Sequence, residues 1–510
     1  MTRNLKRLGL IFIGFGLLLL NWQCLKSNKA GIPMDVVKVI AKADLNKPEL
    51  MNAIGEYLAP EDSLKLKAMY WLIANMDGNY TVYYSVQDSL GRHYTFPPEN
   101  YSHYLDLKHK WDDTEKSVGN LIYHADSFSV DFKSLKAGFL IDNMNDAWQA
   151  YQSNAWAKAY DFHIFCRWIL PYRCANEPVE PFRKHFLKKY GDSIREAHPT
   201  SAMAAALLIN RLVNRQMDYK DTYNKSANVQ DIHQLEKTGA GNFWDINVYK
   251  VKVLRSFGLA ATLDYTPFLA DTNFGYVWTT VILPDRSELM LEFPHRVARL
   301  RAGGRLAKVY RRSFERDSTC LYAIKDIKQT TPPFLGHYYY QDISNQIPHA
   351  RVQLKYFPKQ PYAYLAVFND GEWHPVTWAI SSPDKGTVFD LMGTNVVYLP
   401  VGLNKKFLLS LQSPFILDGE GNQFRLKANF TREVSARITY TAPRQLMNLN
   451  QKYSLFVWNG NWYPLYNLDG NPRGYDLKVP DNGLFLLTNE DIDFSERIFV
   501  IDADGNQMFY

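Results

Sequence analysis

The sequence is poor in cysteine: 510 residues hold only 4, and none stands in a Cys-x-x-Cys or other zinc-ligand spacing. That excludes a disulfide framework and a thiolate metal cage, and no metal or cofactor is implied. Cys166 and Cys174 are close enough to pair across a turn or to be buried as small apolar side chains. Excess charge is also lacking. Lys and Arg number 58 against 52 acids, a net +6 spread thinly along the chain. No basic stripe exists, so nucleic acid is not a partner. There is no Gly-x-Ser-x-Gly elbow, no phosphate loop and no His-Glu-x-x-His, which removes three large enzyme classes. Neighbouring acids such as Asp112-Asp113 and Glu61-Asp62 read as surface residues rather than a glycosidase pair. Asp502-Ala503-Asp504-Gly505-Asn506 reads as a hairpin turn rather than a calcium loop.

Long apolar runs are confined to one place. Arg3, Lys6 and Arg7 precede an uncharged stretch from Leu8 to Leu20, the pattern of a secretory signal. Cys24 then stands where a bacterial lipoprotein carries its lipid, although Asn21, Trp22 and Gln23 are large for that cleavage site. An uncleaved anchor over Leu8–Leu25 and simple cleavage near Ala30 remain open. Each reading exports the protein to the cell envelope, and the first two, with residues 1–25 as anchor segment, make a membrane its partner.

Aromatic residues are plentiful, at 15% with 33 Tyr and 12 Trp. Strands packed through cross-strand aromatic pairs account for most of them, and stacking surfaces for a ligand are the alternative. The chain is too long for one core. Residues 30–220 read as a helical N-terminal region, with N-cap chemistry at Pro60-Glu61-Asp62-Ser63; Asp77–Asp126, rich in Tyr, Gly and Pro, has no clear pattern. Residues 227–315 combine a helix over Phe243–Phe257, stopped by Gly258, with three strand-like runs. Beyond Thr330 short alternating runs predict a β-sandwich over 330–443, then a small β domain over 446–510 with Asn459-Gly460 and Asp469-Gly470 turns. The fold class is α+β and multidomain.

Particular stretches sharpen this. Pro60-Glu61-Asp62-Ser63-Leu64-Lys65-Leu66-Lys67-Ala68, Leu72-Ile73-Ala74-Asn75-Met76 and Phe165-Cys166-Arg167-Trp168-Ile169-Leu170-Pro171-Tyr172-Arg173 lead to Gly239-Ala240-Gly241-Asn242. Leu254-Arg255-Ser256-Phe257-Gly258-Leu259 and Asp264-Tyr265-Thr266-Pro267 follow. Together they resemble the transglutaminase-like superfamily, and in particular a group of large secreted Bacteroidetes proteins that carry this domain. The resemblance covers roughly residues 35–300 and implies a papain-like α+β core. It also implies a catalytic cysteine opening a helix, a histidine on a strand and a carboxylate on the next one.

Counted from Arg255 and Gly258, the cysteine position falls on Phe243, and the histidine position, between Gly275 and Trp278, falls on Tyr276. The carboxylate position falls on Glu292. Phenylalanine carries no proton, and tyrosine ionises near pH ~10 where histidine does so near ~6.5. No cysteine lies between Cys174 and Cys320 to take over, and His233 and His295 are off the expected strand position. A degenerate triad is therefore expected, with the rings of Phe243 and Tyr276 facing one another across a closed cleft. Trp244, Asp245 and Trp278 are candidate binding residues beside it. The expected function is a non-catalytic envelope scaffold or binding module for a peptide, glycan or protein partner. A cysteine-independent hydrolase or amidase with a relocated site, and a structural subunit of an envelope complex, are the alternatives.

Overall fold

A computed structural model describes residues 31–226, 228–291, 305–326, 329–404, 407–489 and 496–510. Cys24, Glu292 and His295, and with them the expectations about the anchor and the carboxylate position, lie outside these residues. No helix of the described residues is long and apolar enough to cross a membrane.

The chain divides into two compact units. The first holds the described residues up to Asp77 together with Asp131–Ile141. Its helices are α1 (Met34–Lys42), α2 (Lys47–Gly55) and α3 (Ser63–Ala74). Val36 and Val39 recur on one face of α1 and are buried where it packs on α3. Asn46 ties the unit together, its amide donating to the carbonyls of Phe132 (3.1 Å) and Leu135 (2.9 Å).

The second unit, Gly78–Val130 with Asp142–Tyr510, carries the rest. The segment without a clear sequence pattern contributes a three-stranded antiparallel sheet, β1 (Tyr80–Gln87), β2 (His93–Tyr94) and β3 (Ile122–Val130), in the order β2-β1-β3. The N-terminal region is thus not all helical. Between β2 and β3 runs α4 (Tyr104–Val118); later come α5 (Arg183–Ala197), α6 (Ala202–Asn214), α7 (Ile232–Thr238) and α8 (Phe243–Ser256).

Buried on almost every side, α8 packs on a five-stranded antiparallel sheet. The strands are β4 (Ala261–Thr266), β5 (Tyr276–Ile282), β6 (Glu288–Leu291), β7 (Tyr310–Arg312) and β8 (Tyr340–Asp342), in the order β8-β7-β4-β5-β6. Arg255, at the foot of α8, is fully buried and donates to the carbonyls of Trp168, Pro171, Arg173 and Ala261 at 2.7–3.1 Å. Arg183 does the same for Ile169, Leu170 and Arg255. Phe165–Ile169 is a single π turn, and Glu177 accepts the backbone N–H groups of Cys174 and Ala175, both at 2.7 Å. These bonds satisfy backbone groups that helix and sheet leave unpaired, at a depth where an orphan carbonyl costs about 1–3 kcal/mol.

Beyond residue 345 the chain is all β. Strands β9 (His349–Leu354), β10 (Tyr362–Asn369), β11 (Glu372–Ser382), β12 (Gly386–Gly393), β13 (Val396–Asn404), β14 (Phe407–Ser410), β15 (Phe415–Leu417) and β16 (Gln423–Arg425) form one hydrogen-bonded sheet. Its order is β9-β12-β11-β10-β13-β15-β16, with β14 added to β13. Residues from both halves (Val352, Leu365, Val376, Phe389, Val396, Phe415) share one core, so the sheet curls around it. Two separate stacked sheets were expected; bulges in the β9–β12 and β10–β11 pairs accompany the curl that keeps it continuous.

The last domain also begins earlier than its Pro443 boundary predicts. Strand β17 (Asn429–Ile438) pairs with β20 (Tyr475–Asp481). Their partner is a five-stranded sheet of β18 (Lys452–Trp458), β19 (Trp462–Asp469), β21 (Phe485–Asn489), β22 (Ile498–Ile501) and β23 (Gln507–Phe509). Ala428, Ala436, Ile438, Leu455 and Phe499 form one core across both, which sets the boundary near residue 427.

Candidate binding cleft

The start of α8 is fixed by its own sequence. Gly239 ends α7 in the left-handed region (φ 62°), and Asn242 then caps α8. Asn242 Oδ1 accepts from the Asp245 N–H at 3.0 Å and Asp245 Oδ2 accepts from the Asn242 N–H at 3.0 Å, a reciprocal capping box. Asp245 also accepts from the backbone and side-chain amides of Gln230 at 2.9 and 3.1 Å. It is 1% exposed and does not line the cleft, so it is a capping residue rather than a binding one. Burial raises its carboxyl pKa, against the hydrogen bonds that lower it.

Phe243 is the first residue of α8, where a helix N-terminus would lower the pKa of a thiol. Its ring stacks on Tyr219 at 4.1 Å and meets the edge of Tyr276 at 5.0 Å and 73°. Tyr219 is delivered by a two-residue parallel pairing of 218–219 with 240–241. One turn into the helix, Asn247 clamps α8 to β5. Its amide donates to the carbonyls of Phe243 (2.8 Å) and Val277 (3.2 Å), and its oxygen accepts from Thr279 Oγ1 at 2.8 Å. Phe243 and Tyr276 are each only 8% exposed, so this three-ring stack plugs the head of the helix.

In front of the plug lies a cleft of about 540 Å³. Its walls are Phe243, Trp244, Tyr265, Phe268, Phe274, Tyr276 and Phe334, with Pro267, Pro332, Pro333 and Pro375 between them. Trp244 is half-buried and leans on Tyr265 at 5.5 Å. Trp278, the other expected binding residue, is 4% exposed and stacks behind Tyr276 at 6.0 Å, away from the lining. Strand alternation explains this: two residues on from Tyr276 the side chain shares its face but lies deeper under the sheet.

Half of one wall comes from the curled sheet. The β10–β11 hairpin tip inserts Asn369, fully buried, into the 267–275 loop. Its amide lies within hydrogen-bond reach of the Leu269, Thr272 and Phe274 carbonyls (2.7–3.1 Å), and its oxygen accepts the Phe274 N–H at 2.8 Å. Just past this tip, His374 stacks on Phe268 at 4.3 Å and 17°. Burial lowers its imidazole pKa, favouring the neutral ring. Gly275 closes the loop against β4: a side chain there would meet the Pro267 and Thr266 carbonyls at 2.3 and 2.6 Å.

Among the described residues lining the cleft there is no Asp, Glu, Lys, Arg or Cys. The polar ones are largely spent. Asn242 donates to the Tyr223 carbonyl, Asn228 bonds both backbone groups of Tyr84, Asn224 donates to Tyr219 Oη and Thr266 to the Phe268 carbonyl. None of the described thiols reaches the cleft either. Cys166 and Cys174 do not pair, and burial pushes both thiols up to about 12; that of Cys320 is raised too. The cleft can therefore take up flat or branched uncharged surface and offers little to a charged or hydroxyl-rich ligand. From sequence Trp373-His374 reads only as a half-buried pair at a strand end, and Phe268 and Phe334 do not stand out, since nothing local links them to the Phe243 helix. No protein-family model matches the sequence, and no curated protein is similar to it.

Proposed function

We propose that the protein is a non-catalytic, transglutaminase-like binding module of the cell envelope, whose cleft receives an uncharged, apolar segment of a peptide or protein partner. The observation that carries this reading is the Phe243 ring, stacked between Tyr219 and Tyr276 where the resemblance calls for a nucleophile. The helix leading from a capped N-terminus onto an antiparallel sheet supports a papain-like core, and the uncharged aromatic and proline lining supports an apolar ligand. A glycan fits less well because the asparagine amides are already bonded within the protein. Export and anchoring through the Arg3–Cys24 segment complete the proposal.

The test is a fluorescence titration, with Trp244 as reporter, against uncharged peptides rich in proline and aromatics and against the same peptides carrying aspartate. Binding is expected for the first set alone. Trp244→Ala should weaken it about tenfold, the loss of ~1.4 kcal/mol of aromatic contact. Peptide or amide cleavage by purified protein, abolished by Trp244→Ala or His374→Ala, would overturn the non-catalytic reading.

A further inference from the structure

At the far end of the curled sheet from the cleft, the β11–β12 turn, the loop entering β10 and strand β14 come together. His374 at the cleft and Ile380 at this end are six residues apart on β11, about 20 Å along the strand. This end is apolar where it should be polar. Phe407 is 77% exposed, Ile380 55%, Leu409 49% and Leu408 38%. Among the described residues strand β14 pairs with β13 alone (Leu408 opposite Leu403, Leu409 opposite Gly402), no described strand covers its outer edge, and three successive apolar side chains are exposed. Ile380 stands opposite Tyr362, and the Gln360 side chain packs against Gly402, which brings the loop entering β10 beside the hairpin.

The charges around the apolar tip are net positive. Lys355 and Lys359 lie in the loop before β10 and Lys385 in the turn before β12, all exposed; Asp384 is the only acid among residues 355–361 and 380–386. None of the three lysines forms an ion pair with a described residue. We propose that Phe407, Leu409 and Ile380, collared by Lys355, Lys359 and Lys385, form a docking surface for a bilayer with anionic headgroups. Apolar side chains enter the headgroup–acyl boundary while lysines at its rim pair with lipid phosphates, each worth about 1 kcal/mol near an anionic surface. The same-sign collar disfavours the other simple occupant, a second copy of this edge, because two collars would repel. Docked this way, the cleft stands off the membrane by the length of β11 between Ile380 and His374, ~20 Å.

Vesicle binding alone cannot test this, because the Leu8–Leu20 run would itself hold the full chain on lipid. The readout is amide hydrogen exchange of the full chain on vesicles of phosphatidylglycerol mixed with phosphatidylcholine, against phosphatidylcholine alone. Exchange over Phe407–Leu411 and 355–361 is expected to slow only on the anionic vesicles. Each Lys→Gln change at 355, 359 or 385 should reduce that protection about fivefold. Phe407→Asp with Leu409→Asp should remove it while Tyr362–Asn369 keeps its own protection, the control for folding. Equal exchange on both vesicle types overturns the proposal. So does protection over Phe407–Leu411 without lipid that grows with protein concentration, the signature of a second copy.

Discussion

Replacing Phe243 by cysteine, alone and with Tyr276→His, asks whether the ring stack has taken the place of a reactive pair or conceals one. Phe243 is 8% exposed and holds two ring contacts, at 4.1 Å to Tyr219 and 5.0 Å to Tyr276. Truncating a buried phenylalanine to alanine costs about 3–5 kcal/mol, and each aromatic pair carries about 0.5–1.5 kcal/mol of that. A cysteine keeps one heavy atom beyond Cβ, so Phe243→Cys should cost about 3 kcal/mol. Because Tyr276 loses the same contact, Tyr276→His should add less on top of it than it costs alone, by about 1 kcal/mol. Urea unfolding of the four proteins in the cycle measures both numbers. The new thiol would sit at the N-terminus of a 14-residue helix with an imidazole in ring contact, which lowers its pKa below the ordinary ~8.5. Its alkylation rate, read at position 243 by mass spectrometry between pH 6 and 9, should exceed that of Cys166 and Cys174, whose thiols are held at about 12. Two results would refute the reasoning. A cost under ~1 kcal/mol would mean that Phe243 is not a plug. A thiol in the double variant titrating above ~8.5 would mean that the helix end is not a thiolate site.

Two further outcomes follow from other contacts. Asn369→Ala removes four hydrogen bonds to the 267–275 loop, so hydrogen exchange over that loop should rise sharply while β10 stays protected; the expected cost is about 2–4 kcal/mol. An unchanged loop would show that the curled sheet does not shape the cleft. The second concerns pH. His337 is buried with the Arg312 guanidinium 2.8 Å from Nε2, and burial and that charge hold its pKa well below the ordinary value. Its pKa is depressed in the fold, so the stability it gives is present above the unfolded ~6.5 and is lost as pH falls, by about 1.4 kcal/mol per pH unit. Urea stability measured from pH 7.5 to 5 should fall faster for the parent than for His337→Gln, and parallel profiles would count against this assignment.

Local chemistry made part of this molecule legible in advance. The α8 helix announces itself through the Asn242 cap, the Asp245 partner three residues on and the Gly258 stop, all within one stretch. The alternating runs Ala363–Phe368, Val396–Val401 and Phe407–Leu411, legible in the sequence, likewise appear as strands β10, β13 and β14 within a few residues of those ends. What could not be read depends on pairing across the sequence. Ser435–Thr441 looks like one more strand of the preceding domain, and only its bonding to residues 475–481 assigns β17 to the last one. The strands within and just beyond Asp77–Asp126 are hidden because β1 exposes Tyr83 and Tyr84, and β3 exposes Ile122, Tyr123 and Phe128, with no inside–outside alternation, the sheet being open to solvent on much of both faces. Residue type and position in the sequence make Trp244, Asp245 and Trp278 equally eligible to line a site, yet only Trp244 borders the cleft. The helix cap claims Asp245, and the β5 pleat sends Trp278 behind Tyr276.

The cleft itself is composite, and this bears on what it can do. Its floor is the Phe243–Tyr276 contact of one α+β module, and its wall is stiffened by Asn369 and faced by His374 and Pro375 from a sheet that begins at His349, 67 residues after β5 ends at Ile282. A thiol-dependent catalytic cleft needs room at the helix terminus for an attacking atom and its substrate carbonyl. Here that room is occupied by a ring with 8% of its surface exposed. Aromatic side chains there lower the cost of keeping the helix end buried, because the stack satisfies itself without a charge, whereas a thiolate–imidazolium pair needs partial solvation or an orienting carboxylate. With no charge in the described lining, the β10–β11 hairpin can pack against the opening with apolar surface and without desolvating a charged group. The ring plug, the uncharged lining and the hairpin wall are therefore mutually dependent, and placing a charged pair at Phe243 and Tyr276 should weaken the docking of the 267–275 loop as well as the plug.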